Sequence, residues 1–280
     1  MRGLAAWLLS AVVGAGPIDE PPATIVEPPS VTEPEAPLTG GALLSLPTPQ
    51  RRAELARKSR NELSALFQGP PPPSLVTMCQ RGLTELGTYS VRMQKSERVS
   101  QGGIERQDID LTIRPEPLAI RGEFGEGPAQ GRRLLYNKAL RPEAIRIKER
   151  GFFGVFGGVW LDLNSDVMRK QSSRPATDLG FAVPVAHVAH DFAAVANFKG
   201  ARNDIDGFDA QGRLCVRTRA PVEAKLFAPD MRICFDLNLG LPVLIETFDK
   251  AGMLESFAFD KVRPQQNLAP SYFTLEGADL

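Results

Sequence analysis

From Thr88 onward, apolar and polar positions alternate one for one. Tyr89, Val91 and Met93 are interleaved with Ser90, Arg92 and Gln94, and Ile109, Leu111 and Ile113 with Asp108, Asp110 and Thr112. Successive side chains of an extended chain point to opposite faces, so this pattern predicts strands with one dry and one wet face. Leu118, Ile120 and Phe124 continue it, as do Ile145 and Ile147 against Arg146 and Lys148. It returns at Arg213–Arg219, Met231–Leu237, Leu241–Asp249 and Met253–Lys261, and the tail Ser271–Leu275 is expected to add a last strand. Short turns holding Gly, Pro or Asn separate these runs, which predicts antiparallel pairing.

A helical period governs the flanks and one central stretch. Gln50–Phe67 puts Leu55, Leu63, Leu66 and Phe67 on one side, predicting a helix that Pro70–Pro73 terminates. Ser74 is placed to cap a second helix, Leu75–Leu86, whose Leu75, Met78, Cys79, Leu83 and Leu86 share a face. Residues 182–198 predict a third helix with a broad apolar surface. Only one such helix falls between strands, which disfavours βαβ alternation. The expected fold is mainly antiparallel β with helices (α+β), a single curved sheet covered by helices on its dry face.

The N-terminus changes the picture from a fold to a destination. Arg2 precedes the apolar run Gly3–Val13, and Val13-Gly14-Ala15 fits the small-residue rule for signal-peptide cleavage. The run is shorter than the ~20 residues that span a bilayer, which favours cleavage over a retained anchor. No cysteine follows it, so the lipid-modified cysteine of a lipoprotein is not expected. Residues 1–15 are read as a signal peptide and the protein as periplasmic or secreted. Residues 16–49 hold nine prolines and are read as an extended, disordered tether. Residues 50–280 are read as one domain.

Charge and cysteine content narrow the chemistry. Basic and acidic residues number 33 each, which argues against nucleic acid as a partner. Cys215 and Cys234 each lie on the polar face of an alternating segment, so a cross-strand bridge is feasible if the segments are neighbours. Two free buried thiols are the other reading, and Cys79 is expected to face the core. No Cys-x-x-Cys spacing, Gly-x-Ser-x-Gly elbow or phosphate-loop motif is present, so no catalytic residue, cofactor or metal is assigned. His187, His190 and Asp191 share one helix without a nameable distant ligand. Asp204, Asp206 and Asp209 lack the glutamate a calcium loop needs at its twelfth position, where Cys215 stands.

The order of elements resembles the LolA/LolB lipoprotein-carrier superfamily, and within it most closely domain-of-unknown-function family 1571. The likeness rests on Gly87-Thr-Tyr-Ser-Val-Arg-Met-Gln-Lys-Ser-Glu-Arg-Val99, Arg114-Pro-Glu-Pro-Leu-Ala-Ile-Arg121 and Gly131-Arg-Arg-Leu-Leu-Tyr136. It extends through Ser173-Arg-Pro-Ala-Thr-Asp-Leu-Gly-Phe181 and Leu241-Pro-Val-Leu-Ile-Glu-Thr-Phe-Asp249. The resemblance implies an open half-barrel with helices over its concave face, and an apolar ligand such as a lipid or lipoprotein. A filled barrel serving as a periplasmic interaction or sensor module is the competing expectation, and a hydrolase ranks last. Tyr89, Val91, Met93, Leu118 and Ile120 are the candidate ligand lining from the strands. The glycine-rich run Gly151–Trp160 adds Phe152, Phe153, Phe156 and Trp160 as a candidate apolar gate, with simple core filling as the alternative.

Overall fold

A computed structural model of the protein describes residues 38–98, 103–151, 157–166 and 175–280. The expected signal peptide, the tether through residue 37, and Phe152, Phe153 and Phe156 lie outside the described residues.

Among the described residues, eleven strands form one antiparallel sheet. They are β1 (Tyr89–Arg98), β2 (Ile104–Arg114), β3 (Ala119–Phe124), β4 (Arg133–Asn137), β5 (Ala144–Lys148) and β6 (Val159–Asp162). The second half holds β7 (Arg202–Phe208), β8 (Leu214–Arg219), β9 (Asp230–Asp236), β10 (Leu241–Asp249) and β11 (Gly252–Pro264). The spatial order is β6-β5-β4-β3-β2-β1-β11-β10-β9-β8-β7, two meanders joined where β1 pairs with β11. The sheet does not close, so the fold is the antiparallel α+β sheet expected from the alternation, in the open half-barrel form that the resemblance implies. Its dry face carries the main core, from Tyr89, Val91 and Ile120 to Ile233, Ile245 and Phe259.

Among the described residues, the five α-helices are α1 (Gly40–Ser45), α2 (Thr48–Ala56), α3 (Arg60–Leu66), α4 (Ser74–Leu86) and α5 (Ala182–Asn197). Two boundaries differ from the expectation. The span expected to continue as tether to residue 49 contains α1, with Leu43 and Leu44 fully buried. The residues between Pro37 and Pro47 include no proline, and their apolar pair can therefore pack. The single helix expected over 50–67 is two, because Ser59 starts α3 with a capping box, its hydroxyl and backbone N–H both held by Glu62. Arg51 of α2 is fully buried and donates to the carbonyls of Leu237 (2.7 Å) and Leu46 (3.2 Å) and to Thr48 Oγ1 (3.1 Å). It thereby pins the N-terminal helices to the turn between β9 and β10.

The tail forms no strand. Pro270–Phe273 is a short 3₁₀ turn, and Phe273 and Ala278 bury against Ala119 and Leu135 on the outer face of the sheet. Leu134-Leu135-Tyr136 breaks the alternation by putting a leucine on the wet side, and the tail covers it. On the same outer face Cys215 of β8 stands opposite Cys234 of β9 and the two are joined by a disulfide. Leu244 and Ala258 pack on the bridge. Cys79 is a buried free thiol, and burial pushes its pKa up, which disfavours the reactive thiolate.

Candidate apolar binding cavity

Topology dictates what lies over the dry face. β6 and β7 are the two edges of the sheet yet follow each other in sequence, so the chain between them must pass from one edge to the other. That connection carries α5, whose Val185 and Val188 are buried in the dry-face core.

Both ends of the α5 cover are fastened. Gly180 has φ +89, and a Cβ there would strike Ile113 Cδ1 and Tyr89 Oη, so only glycine lets the chain approach so closely. The next residue, Phe181, is fully buried, with its ring 5.6 Å from Tyr89 and 4.7 Å from Phe259. Its N–H donates to Tyr89 Oη at 2.9 Å. Burial pushes the Tyr89 phenol up to about 12, with the Phe181 N–H pulling weakly the other way. Further along, the buried Asp191 carboxylate accepts from the Phe227 N–H (3.2 Å) and lies 2.8 Å from His190 Nδ1. Phe227 in turn sets its ring 4.3 Å from that of His187.

Between these fastenings the cover is incomplete. Among the described residues, α5 and the α1 and α4 side chains that share the dry-face core leave part of the sheet uncovered, and a cavity of about 390 Å³ remains. Its floor comes from both meanders: Met93, Ile109, Leu134 and Ile147 from the first, Ile233, Ile245, Phe257 and Phe259 from the second. Its roof is Leu179, Val183, Pro184 and His187, with Phe227 beside them. Polar groups gather toward the β1–β2 hairpin end, where Lys95, Glu105, Gln107 and Arg132 contribute. Lys95 pairs with Glu97 at 2.6 Å and Arg132 with Glu149 at 2.8 Å. The volume and the mainly apolar lining are those of small-molecule sites, with a few polar groups to orient a ligand.

The candidate residues read from the sequence are scattered by the structure. Met93 lines the cavity. Val91 and Ile120 are buried in the core away from it, and Leu118 is half-buried against that core. Tyr89 holds the cover in place instead of lining the space. Trp160 is corrected outright. Its partner across the β5–β6 ladder is Arg146, which puts it on the outer face, and its ring lies under the guanidinium groups of Arg141 (5.2 Å) and Arg146 (5.7 Å). The alternation in β9, β10 and β11 carried the same dry-face signal as β1, and would have found Ile233, Ile245, Phe257 and Phe259. Nothing local could select the roof, because α5 is apolar over most of its surface.

The three aspartates Asp204, Asp206 and Asp209 are engaged away from the cavity. Asp204 pairs with Arg202 (3.1 Å), Asp206 with Arg232 (2.9 Å) and Asp209 with Arg213 (2.5 Å). Burial would raise the Asp209 pKa, but hydrogen bonds from the Arg213 backbone and side chain outweigh it and hold the carboxyl below its usual range. Asp209 also lies near both outer-face sulfurs, but these are consumed in the disulfide and offer no thiolate to a metal.

Solved structures similar to this chain include an uncharacterized conserved protein from Thermus thermophilus, at 10% identity and TM-score 0.42, covering 71% of this chain and 90% of that one. The Mycobacterium tuberculosis lipoprotein LppX is similar at 14% identity and TM-score 0.41, covering 71% and 100% respectively. A LolA superfamily protein from Nitrosomonas europaea is similar at 10% identity and TM-score 0.32, covering 73% and 97%. No curated protein matches the sequence. Residues 86–279, which include every strand of the sheet and α5, match the family described as Protein of unknown function (DUF1571). The chain therefore belongs to the DUF1571 family.

Proposed function

We propose that this is an exported binding protein that holds a lipid acyl chain in the cavity between the dry face of the sheet and α5. The observation that carries the reading is the cavity itself: about 390 Å³ of space, floored by side chains of both meanders and roofed by α5. Apolar space of this kind is costly to leave facing water, and a hydrocarbon chain is the occupant that its lining fits. The polar groups at the hairpin end suit the head of an amphiphile whose tail points inward. Export is supported by the Arg2–Ala15 pattern and by the Cys215–Cys234 bridge, since disulfides persist in oxidising compartments. Binding is favoured over catalysis because the cavity lining is mostly hydrocarbon and its Lys95 and Arg132 are engaged in ion pairs.

The test is saturable binding of a fluorescent fatty-acid probe and its displacement by unlabelled fatty acids of increasing length. Each additional buried methylene contributes about 0.8 kcal/mol, so affinity should rise roughly fourfold per carbon and then level off once the cavity is full. Val183→Trp, which fills the space from the roof, should abolish probe binding while circular dichroism stays that of the wild type. A folded wild type with no saturable binding, or a Val183→Trp protein that binds equally well, would overturn the reading. The first of these results would favour a protein-interaction module instead.

A further inference from the structure

The outer face of the sheet carries a second recess, of about 340 Å³, that acyl-chain binding does not use. Its origin lies in two irregularities. The C-terminal tail folds back over the strands and forms one wall, with Tyr272 Oη 3.0 Å from Thr112 Oγ1. On the other side the β1–β11 register slips between Ser90 and Arg92, and Lys261 sits in the left-handed region at φ +52. The floor between is sheet backbone with the hydroxyl of Ser90, which accepts from Gln265 Nε2 at 2.9 Å and keeps its own proton to donate.

The charge around this recess is one-sided. Five cations line it, namely Arg92, Arg121, Arg133, Lys261 and Arg263, against two carboxylates, Asp110 and Glu123. Three of the cations are already engaged. Arg92 is bidentate to Asp110 (2.9 and 3.2 Å), and Arg133 is paired with Asp279 (2.6 Å). Arg121 lies 4.5 Å over the Tyr272 ring and donates to the Gly277 carbonyl at 2.8 Å, so it holds the tail. Lys261 and Arg263 are exposed and have no carboxylate partner among the described residues. Two uncommitted cations beside a hydroxyl donor in a recess of small-molecule size form an incomplete set of charges.

We infer that this recess binds a phosphate ester, with Lys261 and Arg263 as its principal contacts and the Ser90 hydroxyl as a third donor. A phosphate monoester carries more charge and more acceptor oxygens than a carboxylate, which matches the surplus of cations and the fork of Arg263. The same chemistry is offered by a soluble phosphate ester and by the headgroup of an anionic phospholipid. The site stands on its own, apart from the acyl-chain cavity on the opposite face of the sheet.

Two arms of one experiment separate the sources. Calorimetric titration of the full exported chain with glycerol 3-phosphate at low salt reads the soluble ester. Flotation with phosphatidylcholine vesicles, with and without phosphatidylglycerol, reads the headgroup. Saturable binding in either arm is expected, weakening as salt screens the exposed cations. The double variant Lys261→Glu/Arg263→Glu should bind at least tenfold more weakly, and Lys261→Arg/Arg263→Lys should bind within a few-fold of wild type. Both substituted positions are exposed, and Glu is no more strained than Lys at φ +52, so the urea midpoint of each variant should match wild type. Absence of binding in both arms overturns the inference, and so does binding that survives the charge reversal.

Discussion

Replacing Tyr89 with phenylalanine removes one oxygen atom from the point where α5 is fastened to the sheet. The ring packing against Phe181 is kept, while the Phe181 N–H loses its 2.9 Å acceptor. That N–H belongs to a fully buried residue, and an orphaned buried donor costs about 1–3 kcal/mol. At pH 7 the Tyr89→Phe protein should be less stable than wild type by that amount. The difference should then depend on pH in a definite direction. Burial pushes the phenol up to about 12 in the folded chain, against an ordinary value of 10 in the unfolded one. The folded state thus favours the neutral phenol. This contribution is fully present below pH 10 and is lost as pH rises toward 12, because the unfolded chain releases the proton first. By pH 11 wild type should have lost about 1.4 kcal/mol through this group, a loss the variant cannot show. Urea unfolding of both proteins at pH 7, 9, 10 and 11 reads the gap directly. It should be widest at neutral pH and narrow above pH 10. A gap that stays constant to pH 11, or a variant as stable as wild type at pH 7, would refute the account of how α5 is held.

Two further outcomes are expected. Thiol titration of the unfolded, unreduced protein should find one reactive thiol, Cys79, and three after reduction. Removing the bridge with Cys215→Ala/Cys234→Ala should cost roughly 3 kcal/mol for a loop of this length, and three thiols without reduction would contradict the pairing. The exported protein should begin near Gly16, which N-terminal sequencing can read, and Met1 retained on exported material would remove the signal-peptide reading.

The sequence alone determined which residues share a face. Alternation in an extended chain is a consequence of local bond geometry, so Tyr89, Val91 and Met93 had to lie together on one side and Ser90, Arg92 and Gln94 on the other. The helical period likewise placed α4 and α5 within a residue of their observed bounds. Ser74, however, expected to cap α4, is its first helical residue and makes no capping hydrogen bond, with Pro73 at the cap position. What each dry-face residue does was not legible, because it depends on segments distant in the chain. Tyr89 and Met93 sit on one face of one strand, yet one fastens α5 and the other lines the cavity, according to where α5 comes down on the sheet. Trp160 belongs to an apolar run, and only the β5–β6 register turned it outward. The tail at Phe273 became a cover and not a strand because Leu135, across the fold, needed covering. Periodicity is written into neighbouring residues, whereas enclosure depends on which distant surfaces meet, and only the folded arrangement of the two meanders and α5 supplies that.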